Sequence, residues 1–61
     1  MKTYLVKLEA RQLGALGTFS EMLLTLESEN DLTKKPLELF EKIQEKGFET
    51  NIILSVKPLN D

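Results

Sequence analysis

Four acidic residues have the spacing of ligands in a calcium-binding loop. Glu27, Glu29, Asp31 and Glu38 match positions 1, 3, 5 and 12 of an EF-hand calcium loop. Position 6 is Leu32, where that loop requires a glycine for its sharp turn. Lysines and a proline follow, where the loop should coordinate or bend. We therefore interpret the acids as part of a solvated loop that leads into a helix, and we expect no bound metal.

The glycines of Gly14-Ala15-Leu16-Gly17 have the form of a GXXG loop, which clamps the nucleic-acid backbone in one class of domain. In that class the loop joins two helices. Here apolar residues stand at its centre, and Arg11 is the nearest cation. We interpret the stretch as a hairpin turn, since glycine adopts positive φ without strain.

Catalytic residue types are scarce. The chain has no histidine and no cysteine, which removes imidazole acid-base chemistry, thiolate nucleophiles and disulfides. Ser20, Ser28 and Ser55 lack a base, and no carboxylate pair is placed in a pocket by the pattern. We expect no enzymatic activity and no cofactor.

Composition narrows the class further. Eight basic and 10 acidic residues give a net charge of −2, which argues mildly against non-specific binding to nucleic acid. No apolar run approaches the roughly 20 residues of a membrane span. Met1-Lys2-Thr3 leads directly into a strand pattern rather than a signal peptide, so we expect a soluble, cytoplasmic protein.

Two stretches before the acidic loop alternate between apolar and polar residues, as strands do. Residues 3–11 place Tyr4, Val6, Leu8 and Ala10 on one side, and residues 19–28 do the same with Met22, Leu24 and Leu26. The second stretch has an alternative. Phe19, Met22, Leu23 and Leu26 also have helical spacing, and Thr18 with Glu21 fits a capping box, so residues 18–29 are open to both interpretations. We favour the strand, antiparallel to the first.

Charge selects between two registers for these strands. Pairs whose numbers sum to 32 place Arg11 opposite Glu21, and a sum of 30 places Glu9 opposite Glu21. Like charges disfavour the second. We expect a sum of 32, with Leu8 near Leu24, Val6 near Leu26 and a loop of about five residues centred on Leu16.

Residues 31–47, DLTKKPLELFEKIQEKG, have the start, spacing and stop signals of an amphipathic helix. Asp31 or Thr33 is the expected N-cap, Phe40 and Ile43 are expected in the core, and Gly47 ends the helix. Residues 48–58 then form a third strand with Ile52, Leu54 and Val56 facing inward.

These elements predict one α+β domain over residues 1–61. Its ββαβ chain forms a three-stranded antiparallel sheet, order 2-1-3, with the helix packed on one face. Asn60 and Asp61 are expected to be loose.

The other sheet face remains uncovered, and it carries apolar residues that we predict to form an interaction surface: Leu5, Leu13, Phe19, Leu23 and Ile53. We expect a homodimer or a protein partner there, or at the two sheet edges. An alternative hypothesis is nucleic-acid binding through cations on the same face: Lys2, Lys7, Arg11 and Lys57. A structural subunit of a larger assembly is a third.

The run YLVKLEARQLGALGTF, an alternating strand ending in ESEND, and a helix ending in EKGFET before a last strand resemble small, uncharacterised ββαβ proteins of phages and mobile elements. The resemblance covers nearly the whole chain. It implies an accessory protein that acts by binding, as an inhibitor or modulator of a host protein, and it assigns no residue to a site.

Overall fold

Within residues 1–59, three strands form one sheet and one helix packs on one face of it. The structure, a computed structural model, describes residues 1–59. Its elements are β1 (Lys2–Gln12), β2 (Ser20–Ser28), α1 (Pro36–Glu45) and β3 (Phe48–Pro58). The sheet is antiparallel with order β2-β1-β3, which confirms the predicted α+β fold and the strand interpretation of residues 20–28. Residues 60–61, expected to be loose, lie outside the described residues. Within residues 1–59, no helix has the length and apolarity needed to cross a membrane.

The core lies between the sheet and α1. The central strand β1 contributes four of the eight buried apolar residues of this core, because it has a neighbouring strand on each side and the helix above one face. The buried apolar residues are Tyr4, Val6, Leu8, Ala10, Leu26, Leu32, Leu39 and Ile43. The even-numbered residues of β1 and β2 therefore face inward, as the alternation predicts.

The predicted register of β1 and β2 is wrong. Paired residues sum to 30, so Val6 lies opposite Leu24, Leu8 opposite Met22, and Glu9 opposite Glu21. A pair of exposed charges contributes at most about 1 kcal/mol, which is too little to choose a register. The Glu21 carboxylate instead lies 3.7 Å from Lys7 Nζ.

Strand β3 departs from strict alternation at two β-bulges. Its register against β1 shifts between Lys7 and Leu8 and again between Glu9 and Ala10. Each bulge adds one residue to β3 and reverses which side chains face inward. Ile53 consequently packs against the core, whereas Ile52 is 46% exposed. The predictions that Ile52 and Leu54 face inward and that Ile53 faces outward are wrong; Leu54 is exposed.

The helix begins later than predicted. Asp31 does not cap it: its carboxylate accepts hydrogen bonds from the backbone N–H (3.0 Å) and the hydroxyl of Thr33 in a turn. Lys35 precedes α1 with φ −128° and ψ 76°, and Pro36 is the first helical residue. The residue before a proline is sterically disfavoured in the α conformation, so the helix cannot extend back through Lys35.

The end of α1 agrees with the prediction, but its apolar face differs. Gly47 has φ +91° and terminates the helix. Leu39 and Ile43, one turn apart, face the sheet. Phe40, predicted to be in the core, is 41% exposed because it lies about 100° around the helix from Leu39. It borders a groove between α1 and the start of β3 that is also lined by Phe48.

Polar contacts hold the β2–α1 connection against the sheet. The Ser28 hydroxyl donates to the Glu38 carboxylate, which also accepts from Asn30 Nδ2 at 2.8 Å. These bonds favour the ionised carboxylate, and they lower the pKa of Glu38, the Ser28 bond most. The Tyr4 hydroxyl donates to the Asn30 carbonyl at 3.1 Å. The connection is thus fixed to both strands.

Candidate interaction surface

The sheet face opposite α1 is formed by the odd-numbered residues of β1 and β2. Leu5 lies between Thr25 and Lys57, and the next outward row places Lys7 between Leu23 and Ser55. Leu5 and Leu23 are therefore diagonal neighbours, near enough for side-chain contact. Leu23 is 60% exposed, whereas Leu5 is half-buried.

Two members of the predicted surface are placed differently by the structure. Ile53 lies on the core side, and Ile52, opposite Glu9, takes its place on the outer face. Leu13 is exposed, but it follows β1 in the connecting loop, where its N–H donates to the Gly47 carbonyl at 2.9 Å. The bulges that move Ile53 inward leave no signal in the run Ile52-Ile53-Leu54, since all three residues are apolar.

Phe19 belongs to a cluster centred on Arg11. The Arg11 guanidinium carbon lies 4.4 Å from the centre of the Phe19 ring. Arg11 Nε donates to the Glu49 carboxylate at 2.5 Å, and its Nη1 donates to the Gly17 carbonyl at 2.6 Å. Arg11 therefore covers Phe19 and fixes the β1–β2 loop, and Phe19 is half-buried.

The four cations proposed as nucleic-acid contacts do not form one basic patch. Lys7 and Lys57 are on the outer face. The charge of Lys7 is offset by Glu21, and that of Arg11 by Glu49. Lys2 has the parity of the inward residues and contributes to lowering the pKa of Asp31, after the larger effect of the Thr33 hydrogen bonds. The prediction that all four share the outer face is wrong for Lys2.

The edge formed by β3 is poorly suited to pair with another strand. Both bulges are on β3, and Pro58, which has no N–H, ends it. At one bulge the Thr50 hydroxyl donates to the Glu9 carbonyl (2.6 Å) and accepts from the Ile52 N–H (3.2 Å). Bulges and proline are common means of blocking an edge strand.

The edge formed by β2 has neither device. Its nine residues, SEMLLTLES, pair with β1 without a register shift and include no proline or lysine. The Leu59 N–H donates to the Thr3 carbonyl at 2.8 Å, so odd-numbered β1 residues direct their backbone groups toward β3. Backbone groups alternate in direction along a strand, and the even residues of β1 face those of β2.

The odd-numbered residues of β2 consequently direct their N–H and C=O groups toward the open edge: Glu21, Leu23, Thr25 and Glu27. Met22 and Leu24, on the helix side of the same strand, pack against the core but are only partly buried. Sequence alternation identified β2 as a strand, but it could not show which edge the bulges would block.

The other sequence motifs have structural roles. The Gly14–Gly17 segment lies in the β1–β2 connection, where Gly14 has φ +82° and Leu16 is fully exposed. In the part of the chain that the structure describes, no three acidic residues are grouped so as to hold a metal ion. Asp31 and Glu38 instead accept hydrogen bonds in the β2–α1 connection.

Searches with this chain against models of protein families, curated protein sequences and solved structures found no match.

Proposed function

We propose that this protein is a non-enzymatic interaction module that binds an extended segment of polypeptide along the open edge of β2. The carrying observation is the contrast between the two edges: β2 is regular over nine residues, whereas β3 is interrupted by two bulges. Main-chain hydrogen bonds to an edge strand supply affinity in strand addition, and alternate side chains supply specificity.

The side chains on both faces of β2 suit such a ligand. Leu23 on the outer face is largely exposed, and Met22 and Leu24 on the other face have surface left to bury. An incoming strand would extend both apolar rows. The resemblance to accessory proteins of phages and mobile elements agrees with a role in modulating a host protein through such contacts.

A peptide-display selection tests this proposal. Random peptides of about nine residues, the length of β2, are selected on the immobilised protein, and the enriched peptides are measured by fluorescence anisotropy. We expect alternating apolar and polar sequences whose affinity falls at least about tenfold on the Leu23→Lys variant.

The matched control is Leu37→Lys. Leu37 is 79% exposed on α1, away from the sheet edge, so the same chemical change is made at another exposed leucine. Circular dichroism establishes that both variants fold. Peptides that keep their affinity for Leu23→Lys and lose it for Leu37→Lys would place binding on the helix, and the proposal would be wrong. Failure to enrich any peptide on protein that light scattering shows to be monomeric would also count against it.

A further inference from the structure

The structure offers β2 itself as a ligand for the β2 edge, and we infer that two copies of this chain pair through β2 about a two-fold axis at Leu23. This inference rests on the proposed function, because it uses the same edge. A two-fold axis makes the two strands antiparallel and places the same patch on both subunits.

Backbone direction limits the registers that are possible. Only odd-numbered residues of β2 present N–H and C=O groups to the open edge, so odd must pair with odd across the interface. When odd-numbered residues pair with odd-numbered ones, the even-numbered residues of both copies lie on the same face. The two helices then cover one face of a six-stranded sheet, and the two cores are continuous. The axis can then lie at Leu23, Leu24 or Thr25 if most of β2 is to be paired.

Apolar pairing distinguishes these three registers. An axis at Leu24 pairs Met22 with Leu26 on the helix side, but Leu26 is already fully buried in the monomer. On the outer face the same axis sets Leu23 opposite a threonine, and an axis at Thr25 sets Leu23 opposite a glutamate and Met22 opposite a serine. Neither arrangement covers the exposed Leu23 with an apolar residue.

An axis at Leu23 avoids these mismatches. Leu23 lies opposite its own copy, Glu21 faces a threonine, and Met22 faces Leu24 of the second copy on the helix side. The two apolar residues of β2 that the monomer leaves partly buried against the core thus cover one another. A domain of 61 residues buries only about 60% of the surface that its unfolded chain exposes, less than larger domains do, so this added burial is a substantial gain.

One position before β2, Phe19 would face Glu27 of the second copy. Arg11 lies over the Phe19 ring, 4.4 Å from its centre. Its Nε already binds the Glu49 carboxylate, so Arg11 offsets the incoming carboxylate only in part, and the register depends on the apolar pairs.

Single cysteines test the register directly, because the chain contains none. A hydrogen-bonded antiparallel pair has its Cα atoms about 5.5 Å apart, within the disulfide range of about 4.4–6.8 Å. Oxidation of Leu23→Cys should therefore give a covalent dimer. Cysteines held together in a complex have an effective concentration of about 1 mM, so at about 10 μM protein the reaction should be about a hundredfold faster than random collision.

Thr25→Cys is the matched control on the same edge and face. With the axis at Leu23, its two copies are offset by four residues, about 13 Å along the strand, which is too far for a disulfide. Leu37→Cys on the helix reports the rate of random collision. Faster crosslinking of Thr25→Cys or Leu24→Cys than of Leu23→Cys would overturn the register.

Light scattering separates this inference from the proposed function. Equal crosslinking rates at all positions, with a monomeric mass at every concentration, would overturn self-pairing. In that case, peptides selected on the β2 edge would still support the proposed function, with another chain as the ligand. A monomeric protein that also binds no peptide would overturn both proposals.

Discussion

Replacing Ile53 by alanine should lower the free energy of unfolding more than replacing Ile52, although the alternation of the sequence predicts the reverse. Strict alternation predicts that Ile52 is buried and Ile53 exposed. The bulges reverse this: Ile53 packs against the core opposite Leu8, and Ile52 lies on the outer face opposite Glu9.

The expected magnitudes follow from burial. Truncating a buried isoleucine to alanine costs about 2–5 kcal/mol, and the partial burial of Ile53 places it near the lower value, about 2 kcal/mol. Ile52 is 46% exposed, so its packing loss should be about 0.5 kcal/mol. The reduced strand propensity of alanine affects both variants, so their difference of about 1.5 kcal/mol reports packing.

Urea denaturation of the two variants, followed by circular dichroism, measures this difference. At about 4–8 °C per kcal/mol for a domain near this size, Ile53→Ala should also melt some 6–12 °C below Ile52→Ala. If Ile52→Ala is the less stable variant, the two bulges do not turn Ile53 inward and Ile52 outward. The proposal that bulges block the β3 edge would then be wrong.

Three further substitutions test contacts around the helix. Tyr4→Phe removes the hydroxyl that donates to the Asn30 carbonyl and should cost about 1 kcal/mol in the free energy of unfolding; an unchanged urea midpoint would show that this bond contributes nothing. Because the pKa of Glu38 is lowered in the folded protein, its contribution is present above the ordinary pKa of 4.5 and is lost as the pH falls below it through the folded value. Melts between about pH 6 and pH 3 should thus fall less steeply for Glu38→Gln than for the natural chain, and parallel curves would contradict the role of the Ser28 hydrogen bond. Gly47→Ala should cost about 1 kcal/mol, because φ is +91° although a methyl group would meet nothing within 4 Å; Gly47→Asn should cost less, and equal melting temperatures for all three chains would exclude backbone strain.

The sequence was sufficient to predict the elements and their order because apolar spacing determines which residues are buried. The side chains of β1 and β2 point inward and outward in uninterrupted alternation, and β3 has the bounds that its sequence predicts. The predicted start of α1 at Asp31 is wrong because Pro36 restricts the backbone of Lys35, and this steric effect outweighs a favourable capping residue. The restriction is local, so the sequence Lys35-Pro36 is enough to predict it.

The candidate site was less accessible to sequence reasoning. Its essential feature is the difference between two sheet edges, and that difference depends on bulges in β3 whose positions follow from pairing with β1. The predicted β1–β2 register is wrong because repulsion within an exposed glutamate pair is too weak to select a register. Leu23 was identified correctly as outward because β2 has no bulge.

The placement of the first strand at the centre of the sheet also governs how this chain folds. β1 pairs with β3 across almost the full length of the sequence, from Gln12 with Phe48 to Tyr4 with Pro58. Closing so long a loop costs entropy before any contact compensates, and high contact order slows folding. The β1–β2 hairpin forms locally, but its apolar face stays open to water until β3 arrives. For its size, this is a slow-folding topology, and during synthesis its sheet cannot be completed until Pro58 has left the ribosome.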